Sequence, residues 1–369
     1  MSLQMDVSYE EQYKPLIISN SGGDSEKVLK EFINDSSIFV FDEINSQVGD
    51  LIKLRNPQRK FSKIELDEAI SEFFGAESSF NYGNWVYYPW RKSLVHLLPE
   101  EEYSAVRTVR NKYKITDEEQ KALSKKKIGV IGLSVGQSVA LTLAMERGFG
   151  ELRLADFDTL ELSNLNRIRT GVFNIGIKKS IIVAREIAEI DPYLNVVLYS
   201  EGIHDGNIDD FFTKDGQLDL LIEECDSLDM KIKSRIKAKQ LKIPVLMDTS
   251  DRGMIDMERF DMEHDLPIFH GMLAKFGAES QLLDVLEQNR GQMMMSILDF
   301  EKLSEKAKFS IGEMGKSITT WPQLASSVVM GGAMCAYFSK NILCSQISYS
   351  GRIYVDLDEF LVEGHEGKN

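Results

Sequence analysis

The sequence predicts an α/β fold, a doubly wound and mainly parallel sheet preceded by a small α+β domain. Three observations predict it. From Lys125 onward, short apolar runs alternate with longer amphipathic stretches, the pattern of strands joined by helical crossovers. One of those runs passes through a glycine turn straight into a helix, IGVIGLSVGQS over Ile128–Ser138. Before Lys125 the alternation is missing, and an aromatic stretch, YGNWVYYPW over Tyr82–Trp90, stands out instead.

The N-terminal region, 1–105, reads as a small α+β domain of unknown role. Its first 35 or so residues are polar, with a turn-prone run at Ser19–Ser25. A short apolar strand follows at Ile38–Phe41, then amphipathic segments near Glu43–Leu54 and Ser62–Phe74. The aromatic patch and Ser93–Leu98 read as paired strands with Pro89 near the turn. The patch is a candidate ligand grip, but the preferred reading is a small core that buries its rings.

In the second domain, 106–369, the strand candidates are Lys127–Ile131, Leu152–Ala155, Val196–Tyr199, Leu218–Ile222 and Pro244–Met247. The helices between them are Gly136–Arg147, Lys178–Ile190 and Leu228–Leu241. Beyond Arg252 the pattern loosens, and only a long helix near Pro322–Ile342 and a final strand at Arg352–Leu357 are predicted.

Bulk properties narrow the function. A chain of 369 residues holds two domains with real cores. A net charge of −15 argues against binding to a nucleic-acid backbone, which needs a basic face, while leaving room for a small anionic nucleotide. Cys225, Cys335 and Cys344 are scattered without CxxC spacing, so neither a disulfide framework nor a four-thiolate zinc site is expected. The acidic, polar start is unlike a secretory signal, and the longest apolar stretch, Ala325–Phe338, is too short and glycine-broken to span a bilayer. A cytoplasmic location without membrane contact is expected.

The glycine loop suggests a nucleotide. A strand runs into Gly132, turns, and starts a helix near Gly136, where backbone amides suit a phosphate. The next strand ends at Asp156, 24 residues after Gly132, where an acid commonly accepts ribose hydroxyls. Taken alone this leaves two readings open, a nucleotide site or a structural strand–turn–helix.

The following block is more specific. Residues 152–167 read LRLADFDTLELSNLNR, which resembles the DxDxxxxSNLxR signature of the ThiF/MoeB/HesA family, with Asp156, Asp158, Ser163, Asn164, Leu165 and Arg167 in one ungapped run. Arg107–Gln120 resembles that family's first helix, with arginines at 107 and 110. GIKK at Gly176–Lys179 resembles its G-x-x-K, DLLIEECDS at Asp219–Ser227 its strand ending in T-D-N, and Trp321–Ala336 its late glycine- and alanine-rich helix. The resemblance covers roughly Arg107 to Leu357. In addition NWVYYPW, LVHLLPEEE and MDTSDRG resemble the branch of such proteins often fused to a nitroreductase-like domain.

The resemblance implies a Rossmann-like adenylation domain that uses ATP and Mg²⁺ to activate a carboxylate as an acyl adenylate with release of pyrophosphate. The expected partner is a small ubiquitin-like or sulfur-carrier protein ending in glycine. A homodimer and a nitroreductase-like partner are further expectations. The implied catalytic residues are Arg110 (less surely Arg107), Arg167, Lys179 and Asp226, with Asp226 also the metal ligand. The implied nucleotide contacts are Gly132, Ser134, Gly136, Asp156, Ser163, Asn164 and Ser227. The chemistry asks for such a set, because two anions must meet and charge grows on the phosphoryl oxygens. A hard cation such as Mg²⁺ suits a carboxylate.

Each residue also has an ordinary structural explanation: Asp158 a turn, Asp226 an N-cap, Lys179 a helix-start lysine. Together, in order and at family spacing, they favour function. Departures are Ser134, Val135 and Gln137 in the loop, Ser227 beside Asp226, and Lys231 where arginine is common. The alternatives are an NAD-type oxidoreductase, which would need only Gly132, Gly136 and Asp156, or a degenerate nucleotide-binding module that recruits a partner. The cysteines predict adenylation without a thioester, Cys344 reading as the exposed one. MDTSDRG sets Asp248 and Asp251 at the sheet's carboxyl edge, equally as pocket acids or as turn caps with a salt bridge to Arg252. The histidines, His270 included, read as structural.

Overall fold

The computed structural model describes residues 8–19 and 24–359. The chain forms two compact units: Met1–Glu118 with Ala184–Leu194, and Glu119–Val183 with Asn195–Asn369.

The first unit holds a four-stranded sheet. Its strands are β1 (Leu16–Ser19), β2 (Phe39–Asp42), β3 (Asn84–Tyr88) and β4 (Ser93–Leu97), in the order β1-β3-β4-β2. The expected pairing around Pro89 is antiparallel β3–β4, with Trp85 opposite His96. The helices are α1 (Asp24–Asn34), α2 (Ile44–Arg55), α3 (Lys63–Phe74) and α4 (Glu100–Arg107). Ser62 and Glu65 close a reciprocal capping box at the start of α3. Trp85, Tyr87, Tyr88 and Trp90 are all buried, so the aromatic patch is core. His96 is fully buried too: it stacks on Trp85, and its ring nitrogens meet the Asp42 carboxylate and the Tyr82 carbonyl. Strand β1 and helix α1 are absent from the sequence prediction. β1 is a run of only three apolar residues, Leu16 to Ile18, set in a polar stretch, and only Ile18 of its four residues is buried. Residues 20–23 of the turn-prone run lie outside the described residues.

The second unit is built on a seven-stranded sheet. Helix α5 (Asp117–Leu123) leads towards it, and β5 (Lys127–Ile131), β6 (Glu151–Ala155), β7 (Asn195–Tyr199), β8 (Leu220–Glu223) and β9 (Val245–Asp248) run parallel. β10 (Met254–Glu258) and β11 (Gly351–Tyr354) extend the sheet antiparallel, giving the order β11-β10-β9-β8-β5-β6-β7. The order reverses between β5 and β8. In a doubly wound sheet that reversal opens a crevice beyond the carboxyl ends of the strands.

Helices α6 (Gly136–Glu146), α7 (Lys179–Ile190), α8 (Ile208–Thr213) and α9 (Leu228–Leu241) fall between the parallel strands. The residues of α7 from Ala184 group with the first unit. After β10 come α10 (Leu286–Leu298), α11 (Glu305–Glu313) and α12 (Ala325–Leu343), of which α12 packs on α6 and β9. Among the described residues no helix is long and apolar enough to cross a membrane.

β10 is absent from the sequence prediction for a physical reason. Every one of its residues is buried, yet two of the five are acids, so no apolar run announces it. Asp256 bonds to Arg352 Nε at 2.7 Å and to His270 Nε2 at 2.8 Å. Glu258 holds Arg235 Nε at 2.6 Å, and Arg235 also pairs with Glu223, which takes Lys231 at 3.1 Å. Arg235, Glu223 and Glu258 are all fully buried. A buried charge in a strand survives only with partners of this kind.

Candidate functional site

At the carboxyl edge of the second unit's sheet, a cavity of about 390 Å³ lies where the strand order reverses. Three strand ends build it. After β5 the chain turns at Gly132, whose φ of +87° is a left-handed conformation that glycine adopts without strain. A Cβ there would stand 2.6 Å from the Glu224 backbone, so the β5 and β8 loops touch only because residue 132 is glycine. After β6 comes Asp156. Its Oδ2 accepts the Leu133 N–H at 2.7 Å and its Oδ1 the Asp158 N–H at 2.8 Å, which locks the carboxylate under the glycine turn. Burial pushes the Asp156 carboxyl above its usual value, against these amide donors and nearby Lys179. After β8 the chain passes Glu224 and Cys225 to Asp226 and Ser227, just ahead of α9.

Cations face these loops. Lys179, the first residue of α7, is buried; its Nζ lies 2.8 Å from Asp158 Oδ2 and 3.5 Å from Ser134 Oγ. Arg167 Nη2 reaches Ser134 Oγ at 3.4 Å, and its Nη1 contacts Asn166 Oδ1 at 3.0 Å. Arg167 Nε is buried and has no hydrogen-bond partner among the described residues. Burial lowers the arginine's proton affinity, and the Asp226 charge opposes the shift. Arg167 itself does not line the cavity; it reaches the Ser134 hydroxyl that does, as Lys179 also does.

The sequence-derived residues therefore divide. Gly132, Ser134, Asp156, Lys179, Asp226 and Ser227 line this cavity. Gly136 does not line it. Gly136 opens α6, where a Cβ would stand 2.7 Å from Val130 Cγ1, so its place is one of close packing. Asn164 is buried in the turn before Arg167 and accepts the Glu161 N–H at 3.0 Å, while exposed Ser163 donates to Glu161. Arg110 is exposed in the first unit, on a short 3-10 turn. Arg107 pairs with buried Asp191 at 3.0 Å. Within the loop, Val135 is buried, and Gln137 donates to the Arg169 carbonyl and accepts its N–H, so the departures from glycine pack inward.

Asp248 and Asp251 also divide. Asp248 is buried at the end of β9, whereas Asp251 accepts both the N–H and the hydroxyl of Ser304. Arg252 pairs with Asp356 and Glu359 and not with Asp251, so the salt bridge considered from sequence is replaced. Glu224 was missed by sequence reasoning. It is buried and lines the same cavity, and the signal was there in principle, as the second acid of a pair closing an apolar strand.

Burial raises all three thiols: Cys225 with help from Glu223, Cys335 with help from Glu224, and Cys344 with help from Glu119. None carries the lowered pKa of a reactive thiolate. Among the described residues no group of three histidine, cysteine or acidic side chains is arranged to hold a metal ion.

The ThiF family matches residues 107–329. A Mycobacterium tuberculosis (strain CDC 1551 / Oshkosh) protein, "Uncharacterized protein MT1398", is 46% identical over 277 residues, 75% of this chain. The chain spans only 38% of that relative's length. The tRNA threonylcarbamoyladenosine dehydratase of Bacillus subtilis (strain 168) is 22% identical over 242 residues, covering 63% of this chain and 94% of that protein. Among solved structures, Escherichia coli tRNA N6-threonylcarbamoyladenosine dehydratase, TcdA, aligns with a TM-score of 0.46 at 16% identity, over 66% of this chain and 95% of that one. The family match takes in more than half of the chain, from Arg107 through the cavity loops and into α12; this chain belongs to the ThiF family, and its second unit is an adenylation domain of that kind.

Proposed function

We propose that the chain activates a carboxylate with ATP, forming an acyl adenylate and pyrophosphate. The observation that carries this reading is the convergence of Gly132, Asp156, Lys179 and Asp226 on one cavity at the sheet's switch point. The cavity's volume is in the range of small-molecule sites. Asp156 is placed to accept ribose hydroxyls. Lys179 supplies positive charge for the phosphates, and Ser134, which Arg167 also reaches, offers a hydroxyl beside it. Asp226 is exposed to the cavity and is the residue that would hold Mg²⁺, which when bound would screen the phosphate charge. The side chains then act by position: they hold the triphosphate so that the carboxylate oxygen meets the α-phosphorus in line, and they stabilise charge that grows on its oxygens.

The acceptor in this reading is the C-terminus of a small ubiquitin-like or sulfur-carrier protein. A tRNA-borne carboxylate, suggested by the name of the Bacillus relative, is disfavoured by the net charge of −15. The raised thiols support adenylation without a thioester on this chain. A homodimer, with Arg110 reaching the triphosphate, and a nitroreductase-like partner belong to the same reading. ATP–pyrophosphate exchange with small proteins ending in Gly-Gly tests it. Exchange that needs both ATP and such a protein is expected; tight NADH binding without ATP binding would replace the reading with an oxidoreductase. A hydroxylamine-labile conjugate on Cys225, Cys335 or Cys344 would overturn the thioester-free step.

A further inference from the structure

A second cavity, of about 230 Å³, shares Glu224, Cys225 and Asp226 with the first and extends past them. Its walls are of two kinds. One is apolar and polarisable: Met294, Met295 and Leu298 of α10, with Met247, Met314 and Trp321. The other is acidic, formed by Glu224 and Asp248 with Asp226 at the shared rim.

Burial and the Asp248 charge push the Glu224 carboxyl well up, opposed by the Asp248 N–H and Lys231. Glu224 is only 9% exposed. Its Oε1 accepts the Asp248 N–H at 2.9 Å and lies 3.9 Å from Cys335 Sγ. Its Oε2 has no hydrogen-bond partner among the described residues, although the residue forms the cavity wall. Asp248 is buried as well; both of its oxygens take bonds from Ser250, and each keeps a lone pair. Lys231, the cation in this wall, is already committed, its Nζ standing 3.1 Å from both oxygens of Glu223. Buried carboxyl oxygen without a donor costs free energy until a donor arrives.

The rest of the wall says what kind of donor. Thioethers and an indole are poor ligands for a hard metal ion, which takes oxygen from several sides. The same groups suit a hydrocarbon stem, and an aromatic face attracts an organic cation. We infer that this cavity binds a primary ammonium group carried on an apolar stem, the ammonium bonded to Glu224 and Asp248 and the stem lying against Met294, Met295 and Trp321. The inference stands independently of adenylation, because binding is measured without ATP.

Three probes of one shape test it: 4-phenylbutylamine, 4-phenylbutanol and 4-phenylbutyrate, titrated into the full chain at neutral pH. Heat and Trp321 fluorescence are read, with Trp321→Phe assigning the signal. The amine is expected to bind about tenfold or more tighter than the alcohol, the size of one hydrogen bond to a charged group. The carboxylate is expected not to bind. Glu224→Gln and, separately, Asp248→Asn should each remove most of the amine's advantage while leaving the alcohol's affinity unchanged; circular dichroism confirms that each is folded. Equal binding of amine and alcohol, tighter binding of the carboxylate, no binding by any probe, or an amine preference that survives both variants would overturn the inference.

Discussion

The two cavities share one rim and differ in almost everything else. The first is made of strand-end loops that set Lys179 and Lys233 among several acids, and its shape depends on backbone contact at Gly132. The second is walled by flexible thioethers and an indole around two buried acids. Lys179 and Lys233 stand among the acids of the first and Lys231 among those of the second, with Asp226 in both. The contrast lies in the lining: strand-end loops with Lys179 on one side of the shared β8 loop, thioethers and an indole on the other. Because Glu224 lines both cavities, Glu224→Gln is read beside Asp248→Asn, which lies in the second alone.

Four substitutions break or sharpen this contrast. Lys179→Ala should have the largest effect: adenylation activity should fall about 10²–10³-fold, the cost of losing one preplaced electrostatic group, and affinity for 4-phenylbutylamine should not change. Exchange assays beside amine titrations check both halves.

Asp248→Asn comes next and is read through pH. Burial raises the Asp248 carboxyl to about 6, against its bonds from Ser250. A carboxyl raised in the folded state stabilises that state while protonated, below about 3.9, the unfolded value. This contribution is lost as pH climbs through about 6. The wild type should therefore lose stability across that window, by at most about 3 kcal/mol from this group. Asp248→Asn should show a shallower fall in urea denaturation measured between pH 4 and 7. An unchanged slope would mean that Asp248 is not buried as described.

Gly132→Ala should follow, costing about 1–3 kcal/mol for a strained backbone and weakening ATP binding, with a smaller loss of amine affinity because the added Cβ presses on the Glu224 and Cys225 backbone shared by both cavities. Thermal melts and ATP titration check it. Gly331→Ala should be smallest in stability, about 1 kcal/mol of overpacking. A Cβ at Gly331 would meet Asp248 Oδ2 at 1.9 Å, so the carboxylate must swing aside. Amine affinity should fall and ATP affinity hold; the opposite pattern would unmake the contrast.

Legibility in the sequence followed the same division. The parallel strands of the second unit were readable because each is a short apolar run between helices, as at Lys127–Ile131. The first cavity was readable because Gly132, Asp156, Lys179 and Asp226 sit in ordered motifs with a known resemblance. Gly136 and Asn164 sit in those motifs too, yet neither lines the cavity, because a motif fixes spacing and not which side of a loop faces the ligand. The second cavity was unreadable for a topological reason: Glu224, Asp248, Met294 and Trp321 come from separated parts of the chain, and no local pattern links them. β10 hid for the opposite reason, its acids satisfied by His270, Arg352 and Arg235 and so invisible to any apolar count.

The central claim is that the glycine-turn cavity is an ATP site, and diffraction from crystals soaked with ATP and Mg²⁺ tests it most directly. The ribose is expected at Asp156, the phosphates between Lys179 and Arg167, and the metal on Asp226. A cavity that stays empty at saturating ATP, or that takes up NADH in its place, would contradict it.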